Sequence, residues 1–227
     1  MKRIVSIFLL TYPILVFTGC GHISTYQSPK ILNQGEKLWG TGISINTNKE
    51  FINEFPIALL SDLSIYTRYG LSDRAESGLK LSFSLPFLLA SYHYKYLLLQ
   101  TVPVKSMKKP LMVSGDLGLS IGLLEGSDFF VFHPTLLFGR EDFYGGVSTN
   151  IIYPFSRELR GRNSLNIFSS RIFLGTSVAE NKWKFNPEIS YDFFPYSGVT
   201  ETIFHGQTII PKGMIVVGFS IQRIFGE

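Results

Sequence analysis

Leu63–Leu85 reads LSIYTRYGLSDRAESGLKLSFSL. In its first half Leu63, Ile65, Thr67, Tyr69 and Leu71 alternate with Ser64, Tyr66, Arg68 and Gly70. In its second half Leu79, Leu81, Phe83 and Leu85 alternate with Gly78, Lys80, Ser82 and Ser84. Successive side chains of a strand point to opposite faces, so each run predicts a strand with one apolar and one polar face. Between them Ser72-Asp73-Arg74-Ala75-Glu76 is small and charged, which suits a solvated turn. The stretch is therefore a β-hairpin.

The same period recurs along the chain. The further segments are Lys37–Asn46, Leu88–Gln100, Leu111–Leu123, Phe129–Gly139, Phe143–Tyr153, Leu165–Ser177, Lys182–Phe193 and Lys212–Phe225. The clearest sets Val113, Gly115, Leu117, Leu119, Ile121 and Leu123 against Met112, Ser114, Asp116, Gly118, Ser120 and Gly122. With the hairpin that makes ten strands, close in length to the 9–11 residues of a tilted strand crossing a bilayer. The expected fold is all-β: a single antiparallel up-and-down transmembrane barrel of about ten strands, with eight the alternative. Eight enters because Thr101–Pro110, a connection that should be short, is long and basic through Lys105, Lys108 and Lys109. Pro134 and Pro187 fall inside strands and predict bulges or pairing gaps.

Alternation alone does not decide which face is inside. A soluble, lipocalin-like barrel would bury the apolar face around an apolar ligand. Here the polar face is mostly Gly, Ser and Asn with one or two charges per strand, which suits a narrow interior. The bulky aromatic face suits lipid. Trp39, Tyr69, Tyr153, Trp183, Phe193 and Phe225 near strand ends fit aromatic girdles. Aromatic residues make up 15% of the chain, and charged ones 17%, below the roughly 25% of a soluble domain.

Lys2 and Arg3, then the apolar run Ile4 to Val16, then Phe17-Thr18-Gly19-Cys20 form a signal-peptide pattern. The last four residues resemble the lipobox of bacterial lipoproteins, with Phe17 where leucine is usual. The resemblance implies that Cys20 becomes the first mature residue and carries a diacylglycerol thioether and an N-acyl chain. Gly21, not aspartate, follows, which in that family goes with export to the outer membrane. The expected organisation is signal peptide over 1–19, lipidated tether over 20–36, and barrel over 37–227. Without Lys2 and Arg3 the balance is 19 basic against 17 acidic residues, a net +2. These charges are dispersed, so no nucleic-acid partner is expected. A single cysteine leaves no intrachain disulfide.

The chain as a whole resembles small bacterial outer-membrane β-barrel proteins. Tyr69 to Leu79 resembles their periplasmic hairpins, and Gly218 to Phe225 resembles the C-terminal assembly signal, although Gly226 and Glu227 follow the aromatic. The resemblance implies the outer membrane as the location, and membrane lipid, the barrel-assembly machinery and the lipoprotein-export machinery as partners. It names no activity.

Polar groups expected to face the lumen are Asp62, Arg68, Lys80, His93, Lys95, Asp116, His133, Arg171, Lys184, Glu188 and Asp192. Five are cationic and four anionic besides the two histidines, a balance that favours a cross-linked polar plug over a one-sign selective pore. His133, Thr135 and Glu141 faintly resemble the His, Ser and acid of barrel enzymes that deacylate lipopolysaccharide. A nucleophile needs a base within hydrogen-bond reach and a third group to orient it, and here the serine is a threonine and the acid lies in a turn. No nucleotide loop or metal-ligand spacing occurs, and no metal, cofactor or catalytic residue is expected. The Arg157, Glu158, Arg160 and Arg162 loop reads as solvated. The expected role is structural, surface-interaction or small-solute passage. The alternatives are a lipid-modifying barrel enzyme and the soluble lipocalin-like lipoprotein. Solute and oligomeric state are not written in the sequence.

Overall fold

A computed structural model describes residues 26–46, 60–84, 87–102, 109–123, 129–154, 167–193 and 213–226. The strands are β1 (Lys37–Asn46), β2 (Leu60–Ser72), β3 (Ala75–Ser84), β4 (Phe87–Gln100), β5 (Met112–Leu123), β6 (Phe129–Gly139), β7 (Phe143–Pro154), β8 (Ile167–Thr176), β9 (Val178–Glu180), β10 (Trp183–Phe193) and β11 (Gly213–Phe225). Each pairs antiparallel with its sequence neighbour, apart from β8 and β9, and β11 returns to pair with β1. That closing ladder runs without a break from Lys37↔Phe225 to Asn46↔Val216.

β8 and β9 both pair with β10 in one register: Glu188 opposes Gly175 and Phe185 opposes Val178. They are one stave interrupted at Ser177, so the barrel has ten staves, the count expected, rather than eight. The interruption lies opposite Asn186 and Pro187, and a second gap of two rungs faces His133 and Pro134 on the β7 side. A proline has no N–H to give to a ladder, so each gap follows from its ring. Register is kept across both.

The hairpin turn is tighter than the sequence suggests. β2 reaches Ser72 and β3 starts at Ala75, leaving Asp73 and Arg74 as the turn. At the same mouth Arg140–Asp142 joins β6 to β7, and Asn181 and Lys182 join β9 to β10, with Asn181 in the left-handed region that two-residue hairpins need. The connections at the opposite mouth, including the Arg157–Arg162 loop, lie outside the described residues, as do Cys20, the signal peptide, His22 and His205.

The barrel is inside-out. Along β5, Leu117, Leu119 and Ile121 are 43–51% exposed, while Ser114, Asp116 and Ser120 are at most 1% exposed. On β3, Leu79, Leu81 and Phe83 face outward and Lys80 and Ser82 inward. The soluble, apolar-cored alternative required the reverse and does not hold.

The segment expected as a tether differs from that picture. Residues 26–32 pack inside the barrel and 33–36 form an exposed turn at its mouth. Gly35 N–H bonds Gly70 O and Gly70 N–H bonds Glu36 O, both at 2.9 Å, so the chain enters along β2 at the short-turn mouth. It then climbs the lumen to Tyr26, whose ring lies against Gly42 and Gly218 near mid-stave. Ile31 packs with Leu97 and Met112; Tyr26 and Leu32 pack with Leu38 and Tyr66. These wall residues offer the segment apolar surface that it could not bury outside.

A Cβ at Gly70 would run into the main-chain carbonyl of Asn33. Gly70→Val is therefore expected to lift residues 33–36 off the wall and lower stability by about 1–3 kcal/mol. Limited proteolysis of the refolded variant should cut within 26–36 faster than in the parent; equal protection would contradict the packing.

Candidate functional site in the lumen

The interior side chains come from alternate positions of every stave. Each ionisable group expected there is buried or nearly so and has a partner. Lys80 Nζ lies 3.3 Å from Asp62 Oδ2, across the β2–β3 hairpin. Arg68 and Lys95 both hold Glu76, at 2.9 and 2.8 Å. His93 Nδ1 is 3.0 Å from Asp116 Oδ2. Arg171 meets Asp192 in a two-pronged contact of 2.6 and 3.0 Å. Lys184 bonds Glu141 at 3.0 Å, and Glu188 accepts the Tyr26 N–H at 3.1 Å. A charge removed from water needs both a counter-charge and hydrogen bonds, and the fork of arginine on a carboxylate supplies both at once.

Some of these groups also hold residues 26–32. Gln27 bonds Asp116 at 2.6 Å and accepts from Arg68. Lys95 donates to the carbonyls of Ser28 and Lys30, Ser114 to that of Pro29, and Gln222 to that of Tyr26. Glu76 accepts the Leu32 N–H at 2.8 Å. The lumen is thus occupied by the chain itself.

The trio of His133, Thr135 and Glu141, which the enzyme alternative would use, is not brought together. His133 Nε2 lies 2.7 Å from Ser120 Oγ, Thr135 donates to Ser148, and Glu141 sits in the β6–β7 turn against Lys30 and Lys184. Ser120 and His133 do form a hydroxyl–imidazole pair, and the His93 ring lies 4.8 Å from the His133 ring. The acid, Asp116, orients His93 and not His133, and the Ser120 residue is fully buried. Among the described residues no hydroxyl combines exposure with a base and an orienting acid.

No family model matches the chain, and no curated protein matches its sequence. Solved structures similar to it include the N-terminal β-barrel domain of OprF from Pseudomonas aeruginosa, with 12% identity, 86% of this chain and 100% of that chain covered, and a TM-score of 0.37. A bacterial polysaccharide outer membrane secretin has 10% identity, 86% and 67% coverage and a TM-score of 0.38. OccK11 (OpdR) of Pseudomonas aeruginosa has 9% identity, 82% and 63% coverage and a TM-score of 0.29. Likeness at that level carries no conclusion about the role of this chain.

Sequence reasoning missed Glu76, placed in a turn although it is buried and grips two cations. The signal was present: Glu76, Gly78 and Lys80 share one parity. It also missed Gln27 and the inward aromatics Tyr144 and Phe173, which cluster with Leu137. Their room comes from facing glycines, since a Cβ at Gly175 would strike Tyr144 and one at Gly146 would strike Phe173.

Glu141 lies at the mouth, outside the staves. Burial pushes its carboxyl up, but Lys184 and Lys30 outweigh that and hold it below the ordinary carboxylate value. A lowered folded-state pKa stabilises above the unfolded value of about 4.5, and the contribution fades as pH falls through the folded value. Acid titration of the refolded protein should therefore show a loss of stability below about pH 4.5 that Glu141→Gln reduces; identical profiles would contradict the ion pairs.

Proposed function

We propose that this chain is an outer-membrane β-barrel lipoprotein with a closed interior and a structural or surface-interaction role, without catalysis. The carrying observation is the inversion of faces: away from the mouth the outside of the staves is mainly aliphatic and aromatic, and the ionisable groups there turn inward to partners. Hydrocarbon is the solvent that favours this arrangement, and a closed barrel is the form in which strands can cross it. Outward charges at the short-turn mouth fit an interface. Arg223 lies 5.3 Å from the Trp183 ring and 5.0 Å from that of Phe225, and Lys37 lies 5.8 Å from Tyr69. Aromatic rings at headgroup level with cations reaching toward water are the pattern of a membrane–water boundary.

The lipid anchor rests on the lipobox-like residues ending in Cys20. It is compatible with an occupied lumen: the six residues from Cys20 to Tyr26 reach at most about 20 Å when extended, about the distance from mid-barrel to a mouth. Two or three acyl chains at about 0.8 kcal/mol per buried methylene anchor stably. Passage of solutes is disfavoured because residues 26–32 and the paired charges fill the interior. The partners in this reading are membrane lipid and the machineries that export lipoproteins and fold barrels. No cofactor is proposed.

In cells given radiolabelled palmitate, the chain should take up label and Cys20→Ser should lose it; equal labelling would remove the anchor from the account. Leu119→Arg on the outer face is expected to lower folding stability in lipid vesicles by about 2–4 kcal/mol. A change within error would remove the membrane reading. The refolded chain in a planar bilayer should show no steady conductance; a stable open channel would contradict the closed interior.

A further inference from the structure

Six main-chain atoms of residues 26–32 are held by side chains of five wall residues. Glu188 and Glu76 accept the N–H groups of Tyr26 and Leu32, and Gln222, Lys95 and Ser114 donate to the carbonyls of Tyr26, Ser28, Pro29 and Lys30, with Lys95 serving two of them. The wall residues lie on β3, β4 and β5 and on β10 and β11, so the grip comes from two arcs of the wall. The side chains of 26–32 also reach charged wall or mouth groups: Gln27 meets Asp116 and Arg68, Lys30 meets Glu141, and the Tyr26 ring lies 5.8 Å from Lys80 Nζ. A closed barrel has no free strand edge, so beyond the two bonds to Gly70 at the mouth a chain inside it has no sheet edge to pair with. Its N–H and carbonyl groups must still be satisfied, and here wall side chains take the place of a neighbouring strand.

We propose that the short-turn half of the lumen is a binding site for a polypeptide main chain, which residues 26–32 occupy in cis. Recognition through main-chain atoms supplies affinity, as in strand addition to a sheet edge, and the seats of Tyr26, Ile31 and Leu32 add side-chain reading. A cavity of about 230 Å³ lies beside the segment, lined by Ser28, Ile31, Arg68, Glu76, Lys184 and Ile224. It leaves room for side chains other than the resident ones. The covalent link at Asn33–Glu36 keeps the resident at a high effective concentration, so a second peptide is excluded until that link is broken. The inference rests on lumen geometry alone and stands or falls separately from the lipid anchor.

The test uses the full mature chain refolded in detergent without acylation, with a protease site inserted between Gln34 and Gly35, which are exposed in the turn. The probe is a fluorescein-labelled synthetic peptide of residues 26–33. After cleavage the barrel should bind the probe at least about ten-fold more tightly than the uncut chain does, because the tether no longer holds the resident in place. A probe N-methylated at Leu32, which cannot donate to Glu76, should bind about ten-fold more weakly, the worth of one charge-assisted hydrogen bond. A probe carrying Ser28→Ala, which keeps the Ser28 carbonyl that Lys95 holds, should stay within about three-fold of the parent. Equal binding by cut and uncut chains, or no binding after the fragment has left, would overturn the proposal. So would an N-methylated probe as good as the parent. If the insertion prevents folding, hydrogen exchange of the uninterrupted chain answers the question: the Leu32 amide should exchange at least about 100-fold more slowly than in the free peptide, and exchange at the free-peptide rate would overturn the proposal.

Discussion

In the proposed membrane setting the strands have no water to satisfy their backbone groups, so every one must pair within the sheet, and this requirement governs the rest of the molecule. The ladder between β1 and β11 meets it by removing the last open edge. Once the sheet is closed with ten staves, the interior is narrow. Narrowness selects small residues there, and it explains why serines such as Ser44, Ser64, Ser82, Ser114, Ser120 and Ser220 lie wholly buried while Trp39, Leu79 and Phe83 do not. Polar and apolar faces are thus exchanged relative to a soluble domain for one cause, the solvent outside.

The same narrowness disciplines charge. In a confined, poorly hydrated space an unpaired ion is costly, and a paired one is tolerated only with good geometry. The wall meets this with neighbours across the ladder: Lys80 with Asp62 and Arg171 with Asp192. The N-terminal segment supplies further partners. Lys95 divides its three N–H donors among Glu76 and two carbonyls of that segment, and Asp116 serves both His93 and Gln27. The segment and the charge network are therefore one structure, and neither is complete alone.

Much of this was legible because strand faces follow from parity. The ten staves, their ends to within two or three residues and the inward position of Asp116 or Arg171 all come from counting by two. The ladder gaps at Pro134 and Pro187 come from the missing N–H. Residues 26–36 were not legible as a lumen segment because they carry no period. Their order comes from hydrogen bonds to residues as much as 196 positions away, as between Gln222 and Tyr26, and no local pattern records that. Glu76 escapes a reading of the sequence because the turn-like composition around it masks its parity. His133 and Thr135 both point inward, but Glu141 lies past the end of their stave in the β6–β7 turn, so shared parity does not bring it to them.

The central claim is that the bulky face of each stave meets lipid and the small polar face lines the interior. Spin labels placed one at a time along β5, from residue 113 to residue 121, test it directly in vesicles. Accessibility to oxygen should peak at 113, 115, 117, 119 and 121 and fall at 114, 116, 118 and 120, while a water-soluble nickel chelate stays low at the outward set. An inverted alternation, with the chelate reaching 117, 119 and 121, would contradict the account.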